Sequence, residues 1–375
     1  LTTFDCLVVG AGAAGIGIGC VLQDLNVQSF RILERGQVGA SFRLWPPEMR
    51  MITPSFTSNA YGMLDLNAVT LNTSPAYSLN TEHPSGKQYA EYLQAVAKHK
   101  KLPIREGVDV SAVRPLPSGG FEVDTSDGTL RSRFVIWAAG EFQYPKLDAV
   151  AGAEHAIHTS LIPSWKDLDG DEFVIIGGYE SGADAAINLA KLGKRATLID
   201  RSGRWTRKGS SDPSVELSPY TKDRIHSLEE DRIRLMGQHD VRGIELTRAG
   251  KYRIRCVNSS GRETTVTSVT PPILATGFHG SLKLVEHLFE RSAEGTPALT
   301  GHDESTMTPG LYLSGPAVKH GNLHFCFIYK FRQRFGVIAD RIASKLGLDC
   351  TVLEEYRKQG FFLDDLSCCG ENCEC

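Results

Sequence analysis

The sequence predicts an α/β protein made of two Rossmann-like, three-layer units, each carrying a small antiparallel meander. Three observations predict it. The stretch "FDCLVVGAGAAGIGIGCVLQDLNVQSFRILER" reads as an apolar strand, a glycine-rich turn, a helix and a second strand ending in Glu34. The same succession returns in "EFVIIGGYESGADAAINLAKLGKRATLID", which ends in Asp200. Finally, "GVDVSAVRPLPSGGFEVDTSDGTLRSRFVIWAAG" and "GKYRIRCVNSSGRETTVTSVTPPILATG" each read as short strands running into a buried apolar strand. Each of these ends in a glycine turn, at Ala139-Gly140 and at Thr276-Gly277. A length of 375 residues leaves room for two domains or a little more.

Taken in order, the first element is the βαβ unit with Gly10-x-Gly12-x-x-Gly15. Its glycines give a tight turn, let the backbone approach a pyrophosphate and let helix pack close to strand, while the helix N-terminus offers N–H donors. Glu34 lies about 20 residues beyond Gly15, where a carboxylate accepts ribose hydroxyls. Next, "PSGKQYAEYLQAVAKHKKL" reads as an amphipathic helix covering this unit, with Tyr89 and Tyr92 packed inward. In the second βαβ unit Gly177, Gly178 and Gly182 are in place, but Tyr179 stands at the middle glycine and brings a bulky side chain to the phosphate approach. Arg201, Arg204, Arg207 and Lys208 follow, suited to the extra 2′-phosphate of NADPH, whereas Asp200 alone would favour NADH. NADPH is the expected choice. Near the C-terminus, a strand from Leu311 to Ser314 meets a Gly315-Pro316 turn and then a long helix with its arginines expected on the exposed side.

Composition excludes several classes. Lys and Arg total 41 against 44 Asp and Glu, so no basic footprint marks a nucleic acid or an anionic membrane as partner. The apolar run from Cys6 to Leu22 is too short to span a bilayer, is broken by glycines and follows Asp5 rather than a positive segment. A cytoplasmic protein is expected, where clustered cysteines are catalytic or metal-binding rather than structural disulfides. Of the nine cysteines, Cys6, Cys20 and Cys256 fall in strands or a helix as small hydrophobes, and Cys326 lies near the Gly315 turn. Cys368, Cys369, Cys373 and Cys375 crowd into "SCCGENCEC". No Ser/His/Asp constellation or carboxylate pair suggests a hydrolase, and no metal ligands are assigned.

Together these features resemble the flavoprotein superfamily with two dinucleotide-binding domains, which includes low-molecular-weight thioredoxin reductases, bacillithiol disulfide reductases and flavin-containing monooxygenases. The resemblance covers roughly residues 4–348. It implies a discontinuous FAD-binding domain at 1–163 and 273–349, an NAD(P)H-binding domain at 164–272, and an added cysteine-rich redox tail at 350–375. For FAD it points to Gly10, Gly12, Ala14, Gly15, Glu34, Arg35, Val110, Ala139, Gly140 and Gly315. The segment "VGASFRLWPPEMRMITPSFTSN" resembles one that lies along the isoalloxazine, which adds Ser41, Arg43 and Trp45. For the nicotinamide cofactor it points to Gly177, Tyr179, Ser181, Gly182, Arg201 and Arg207. The family's Gly-Asp at the last turn is Gly315-Pro316 here, which removes one hydrogen bond to the ribityl chain.

The disulfide reductases of this superfamily carry a C-x-x-C in the NADPH domain or a C-x4-C after the FAD fingerprint, and this chain has neither. The four tail cysteines are therefore the expected redox centre, with Cys373 paired to Cys368 or Cys369; the sequence does not choose between them. Glu371 and Glu374 raise thiol pKa values, so activation is expected from Lys319, His320 or His324. The expected reaction has NADPH reduce FAD, which exchanges electrons with the tail pair acting on a low-molecular-weight or protein disulfide, in a candidate homodimer. Three alternatives stand beside it: a dithiol oxidase using oxygen, an NADPH-dependent monooxygenase, and soft-metal handling by the tail. The monooxygenase signature places an aromatic-x-Gly before a histidine, where this chain has Val150-Ala151-Gly152 followed by His155 and His158.

Overall fold

The computed structural model describes residues 3–56, 65–203, 205, 210, 212–229, 231–292 and 294–367. They form two compact units: Leu1–Arg43 with Pro54–Glu141 and Gly280–Cys375, and Leu44–Thr53 with Phe142–His279. This division departs from the boundaries expected from sequence at three places. The segment after Phe142 belongs to the second unit because Ile157–His158 pairs in parallel with Ile273–Leu274, and Ile244 N donates to Ala151 O at 2.9 Å. Gly152 lies so close that a Cβ there would sit 1.9 Å from Ile244 O. Leu44–Thr53 joins the same unit, with Ser164 Oγ donating to Glu48 at 2.7 Å. The third departure is at the expected tail. Residues Leu353–Lys358 form a helix, and Leu353, Tyr356, Phe361 and Phe362 are buried.

The first unit is built on a seven-stranded sheet. Its order runs Ile104–Arg105, Phe30–Leu33, Thr3–Val9, Gly128–Trp137, Phe121–Thr125, Val110–Pro115, with Leu311–Leu313 also paired to Gly128–Trp137. The central pairs are parallel, and Cys6, Leu7 and Val8 are wholly buried, as a strand covered on both faces requires. Helix Ala13–Asp24 carries glycines so that neighbours can come close. A Cβ on Gly17 would meet the Phe335 ring at 2.1 Å, and one on Gly19 would meet Ile32 at 2.6 Å. Helix Gly86–Lys100 starts with a capping box, Ser85 and Gln88 each bonding the other's backbone. Tyr89 and Tyr92 are packed as expected, with Tyr89 donating to Asn67 O at 2.8 Å and Tyr92 accepting from Val69 N at 3.0 Å.

The arginines of the last helical stretch meet the sequence expectation only in part: Arg341, in helix Phe335–Leu346, is exposed, but Arg332 and Arg334 just before that helix are entirely buried. Arg332 donates to Asp65 O and Ala68 O and lies 4.4 Å over the Phe361 ring. Arg334 grips Asp303 through Nε at 3.0 Å and Nη2 at 2.9 Å, and also donates to Gly301 O and Leu363 O. Local periodicity reads them as polar, but their partners lie far along the chain.

In the second unit a parallel five-stranded sheet runs Ile233–Gly237, Arg195–Asp200, Glu172–Ile176, Ile273–Leu274, Ile157–His158. One face packs helix Glu180–Lys191 through Ala183, Ala186 and Leu189 against Phe173, Ile175 and Leu198. The other packs the antiparallel sheet of His239–Leu246, Tyr252–Asn258 and Glu263–Ser268 through Ile244, Ile254 and Cys256. These are the three layers and the meander read from sequence. Among the described residues, no helix is long and apolar enough to cross a membrane and no cluster of three metal-ligating side chains occurs.

Candidate cofactor sites

The first fingerprint is a turn between strand Thr3–Val9 and helix Ala13–Asp24. Gly10 has φ +104°, where only glycine rests without strain, and its N–H donates to Leu33 O at 2.8 Å. A Cβ on Gly15 would lie 1.8 Å from Gly10 O, so helix and strand close directly on each other. Ala138 N donates to Val9 O, which sets the Ala138-Ala139-Gly140 turn against Gly10. By contrast, a Cβ on Gly12 would meet nothing within 4 Å. The helix start is therefore bare at the place where a diphosphate approaches.

Glu34 ties the rim together. Its Oε2 accepts from Ala11 N at 2.7 Å and its Oε1 from Gly36 N at 2.8 Å, which uses half of the roughly four acceptor positions of a carboxylate. The other half suits ribose hydroxyls. Gly315, at φ +106°, lies against this turn, since a Cβ there would be 3.3 Å from Ala14 Cβ. Next to it the Ser314 hydroxyl is buried with no partner. An orphaned hydroxyl and a bare glycine rim are what the diphosphate and sugar of FAD would complete, so the residues fit that cofactor.

The second fingerprint repeats the backbone. Gly177 has φ +102° and donates to Ile199 O at 2.9 Å, a Gly182 Cβ would lie 1.8 Å from Gly177 O, and Ala275 N donates to Ile176 O. Asp200 plays the part of Glu34: its Oδ2 accepts from Gly178 N at 3.0 Å. Its Oδ1 also accepts from Ser202 N, Ser202 Oγ and Gly203 N. Burial opposes the charge of Asp200, but the bonds from Ser202, Gly178 and Gly203 outweigh it and hold the carboxyl below its usual range. Trp205 Nε1 donates to Gly178 O at 2.9 Å beneath the turn.

The side chains at the helix start differ from the first unit. Tyr179, the N-cap residue, sends its hydroxyl to Pro213 O and to Glu216 O, the latter at 3.0 Å. Glu180, the first helical residue, accepts from Ser218 N at 2.5 Å and Thr221 Oγ1 at 2.6 Å. Burial raises its carboxyl despite these bonds.

The remaining sequence candidates are spread out. Ser41 and Arg43 lie in the first unit, with exposed Arg43 donating to Gln94 at 2.9 Å. Trp45 falls in the second unit, its ring 6.5 Å from Phe142. Val110 is buried at the head of its strand, shortly after Val108 N donates to Glu34 O. Arg35 is exposed beside Glu34, Ser181 is half-buried in the second helix start, and Arg201 is exposed after Asp200. Arg204, Arg207 and Lys208 lie outside the described residues, as do Cys368, Cys369, Cys373 and Cys375. Of the described cysteines, Cys6 and Cys20 are fully buried; burial pushes the Cys20 thiol up to about 12 and that of Cys256 to about 11. A thiol so raised does not act as a nucleophile near neutral pH.

The suggested activating groups are engaged: Lys319 pairs with Glu294, and His320 Nε2 lies 2.5 Å from Asp303 Oδ1. Burial first, then Lys319 and Lys330, lower the pKa of His324. Sequence reading missed Glu180, Ser218, Thr221, Ser314 and Asp303. The "SPYT" run, a helix N-cap followed by proline, was the available signal for the second and third.

A family model described as pyridine nucleotide-disulphide oxidoreductase matches residues 7–315. Among curated relatives, the uncharacterized oxidoreductase CzcO of Bacillus velezensis is 29% identical over 209 residues, which cover 54% of this chain and 55% of that protein. The match thus spans about half the length of that relative. Bacilliredoxin reductase Bdr of Bacillus subtilis is 23% identical over 343 residues, covering 90% of this chain and 97% of the relative. In three dimensions the bacillithiol disulfide reductase Bdr (YpdA) of Staphylococcus aureus superposes with a TM-score of 0.72 at 20% identity, over 92% of this chain and 99% of that one. With both fingerprints built as described and the family model spanning most of the chain, the protein belongs to the pyridine nucleotide-disulphide oxidoreductase family.

Proposed function

We propose that the chain is an FAD-dependent disulfide oxidoreductase that draws electrons from NADPH and exchanges them with a C-terminal cysteine pair, Cys373 with Cys368 or Cys369. Its substrate is a low-molecular-weight or protein disulfide. The observation that carries the reading is the duplicated fingerprint, because two dinucleotide cradles in one chain serve hydride transfer between two cofactors. The Bacillus subtilis and Staphylococcus aureus relatives, a bacilliredoxin reductase and a bacillithiol disulfide reductase, support a thiol or disulfide as substrate class. The sequence supports the tail as the redox pair, because neither a C-x-x-C in the second unit nor a C-x4-C soon after the first fingerprint is present.

FAD, when bound, supplies a two-electron carrier between nicotinamide and disulfide. Gly10, Gly12 and Gly15 would hold its diphosphate, Glu34 its ribose and Ser314 a hydrogen bond near the Gly315 turn. The net change is NADPH, a proton and a disulfide becoming NADP+ and two thiols.

A second reading, a dithiol oxidase that turns a dithiol and oxygen into a disulfide and hydrogen peroxide, is favoured by Tyr179 and Glu180 at the second helix start. The monooxygenase reading loses support because Gly152 and His158 have structural duties: Gly152 meets Ile244 O, and both His158 nitrogens are bonded, to Ser160 Oγ and Gly277 O. Anaerobic NADPH titration separates these. About two equivalents consumed per flavin are expected for the full chain, and one for a chain ending at Ser367. A shortened chain that still consumes two sinks the tail-relay reading; a flavin that answers to dithiols but not to NADPH selects the oxidase.

A further inference from the structure

The two helix starts share a backbone but differ in what stands on it. Gly12 and Tyr179 are the N-cap residues, with φ/ψ of −80°/−165° and −86°/−163°. The Cβ direction at both is therefore the same relative to the helix. At Gly12 that direction is empty to 4 Å. At Tyr179 it carries a phenol ring, 36% exposed, whose hydroxyl is clasped by the Pro213 and Glu216 carbonyls. Glu180 reinforces the same connection, because its carboxylate accepts from Ser218 N, Ser218 Oγ and Thr221 Oγ1 at the head of helix Pro219–His226. The strap from Asp212 to Ser218 is thus bound to the helix start by two adjacent side chains.

A diphosphate approaching a helix N-terminus needs the amide edge bare and the local field positive. In the second unit the approach holds a ring in place of a hydrogen atom, followed by an acidic residue in the first turn. We propose that Tyr179 is the affinity-setting residue of the second fingerprint: clasped to the strap, it occupies the diphosphate approach, and a pyridine dinucleotide binds only when that clasp opens. The inference rests on the reading that this unit takes NADPH, and it adds what limits that binding. The apparent affinity is the intrinsic one reduced by the fraction of molecules with the clasp open.

The test is calorimetric titration of the FAD-bound full chain with NADP+, which binds without reducing the flavin. Tyr179→Phe keeps the ring but drops the clasp, and should tighten NADP+ roughly fivefold. Tyr179→Gly removes both and should tighten it at least about tenfold. FAD retention, which depends on the other fingerprint, should be the same in all three proteins, a readout that general loosening of the fold would move. Equal NADP+ affinity in wild type and both variants, or weaker binding in the variants, overturns the clasp while leaving NADPH as donor. No NADP+ binding by any of the three, with dithiols still bleaching the flavin, overturns the clasp together with the NADPH reading.

Discussion

The first and second fingerprints are the same backbone turn with opposite furnishings. The glycine φ values differ by two degrees, +104° at Gly10 and +102° at Gly177, and the helix-to-strand approach is 1.8 Å to a Cβ in both. In each, a carboxylate at the end of the second strand holds an amide of the turn, Glu34 on Ala11 and Asp200 on Gly178. Yet Gly12-Ala13 leaves the first helix start open, while Tyr179-Glu180 fills the second, and Asp200 is saturated where Glu34 is half free. Backbone geometry is set by the glycines that permit close approach, whereas cofactor affinity is set by the residues that project from it. A duplicated fold therefore need not be a duplicated site.

The comparison breaks most readily at the shared glycines. Gly15→Ala and Gly182→Ala each force a methyl into a backbone carbonyl, and each should destabilise its own unit by about 3 kcal/mol. Hydrogen exchange resolved by unit would read this, and a neutral result at either position would mean the turns are not equivalent. Asp200→Asn comes next, at about 2 kcal/mol, because the amide turns donors toward N–H groups that the carboxylate satisfied. Glu34→Gln should cost about 1 kcal/mol, having fewer bonds to lose. The depressed pKa of Asp200 also gives a pH signature: its stabilisation is present above the unfolded value of about 4 and is lost as pH falls through the lower folded value. Melting curves of Asp200→Asn should lack that acid-side loss in the second unit.

Two substitutions then sharpen the contrast at the helix starts. Gly12→Ala meets nothing in the protein, so stability should stay within about 0.5 kcal/mol while FAD affinity falls at least about tenfold, measured by flavin release on dilution. Glu180→Gln, which removes a negative charge from the first turn, should tighten NADP+ about two- to fivefold. If it weakens binding instead, the carboxylate is helping to hold the nucleotide and the contrast with Ala13 is misread.

The repeated strand-turn-helix pattern, the meanders and the final strand at Leu311 were legible because each is a local signal. Glycine spacing and apolar runs report close approach and burial within a few residues of themselves. What was not legible depends on partners remote in sequence. Arg332 and Arg334 look like a solvated face until Asp65, Asp303 and Phe361 fold over them. The purpose of Tyr179 needs carbonyls 34 and 37 residues away. The unit boundary at Leu44–Thr53 has no compositional mark, because a ten-residue excursion is held by contacts such as Ser164 to Glu48.

The packing of Phe361 and Leu363 carries a consequence for the cysteine segment. Leu363 N donates to Gln333 O at 3.0 Å and its carbonyl accepts from buried Arg334, so the chain is fixed there. Tyr356, Phe361 and Phe362 are buried, with Phe362 against Gly336, so residues 353–363 are part of the first unit's core and a truncation meant to remove only the cysteines has to end beyond them.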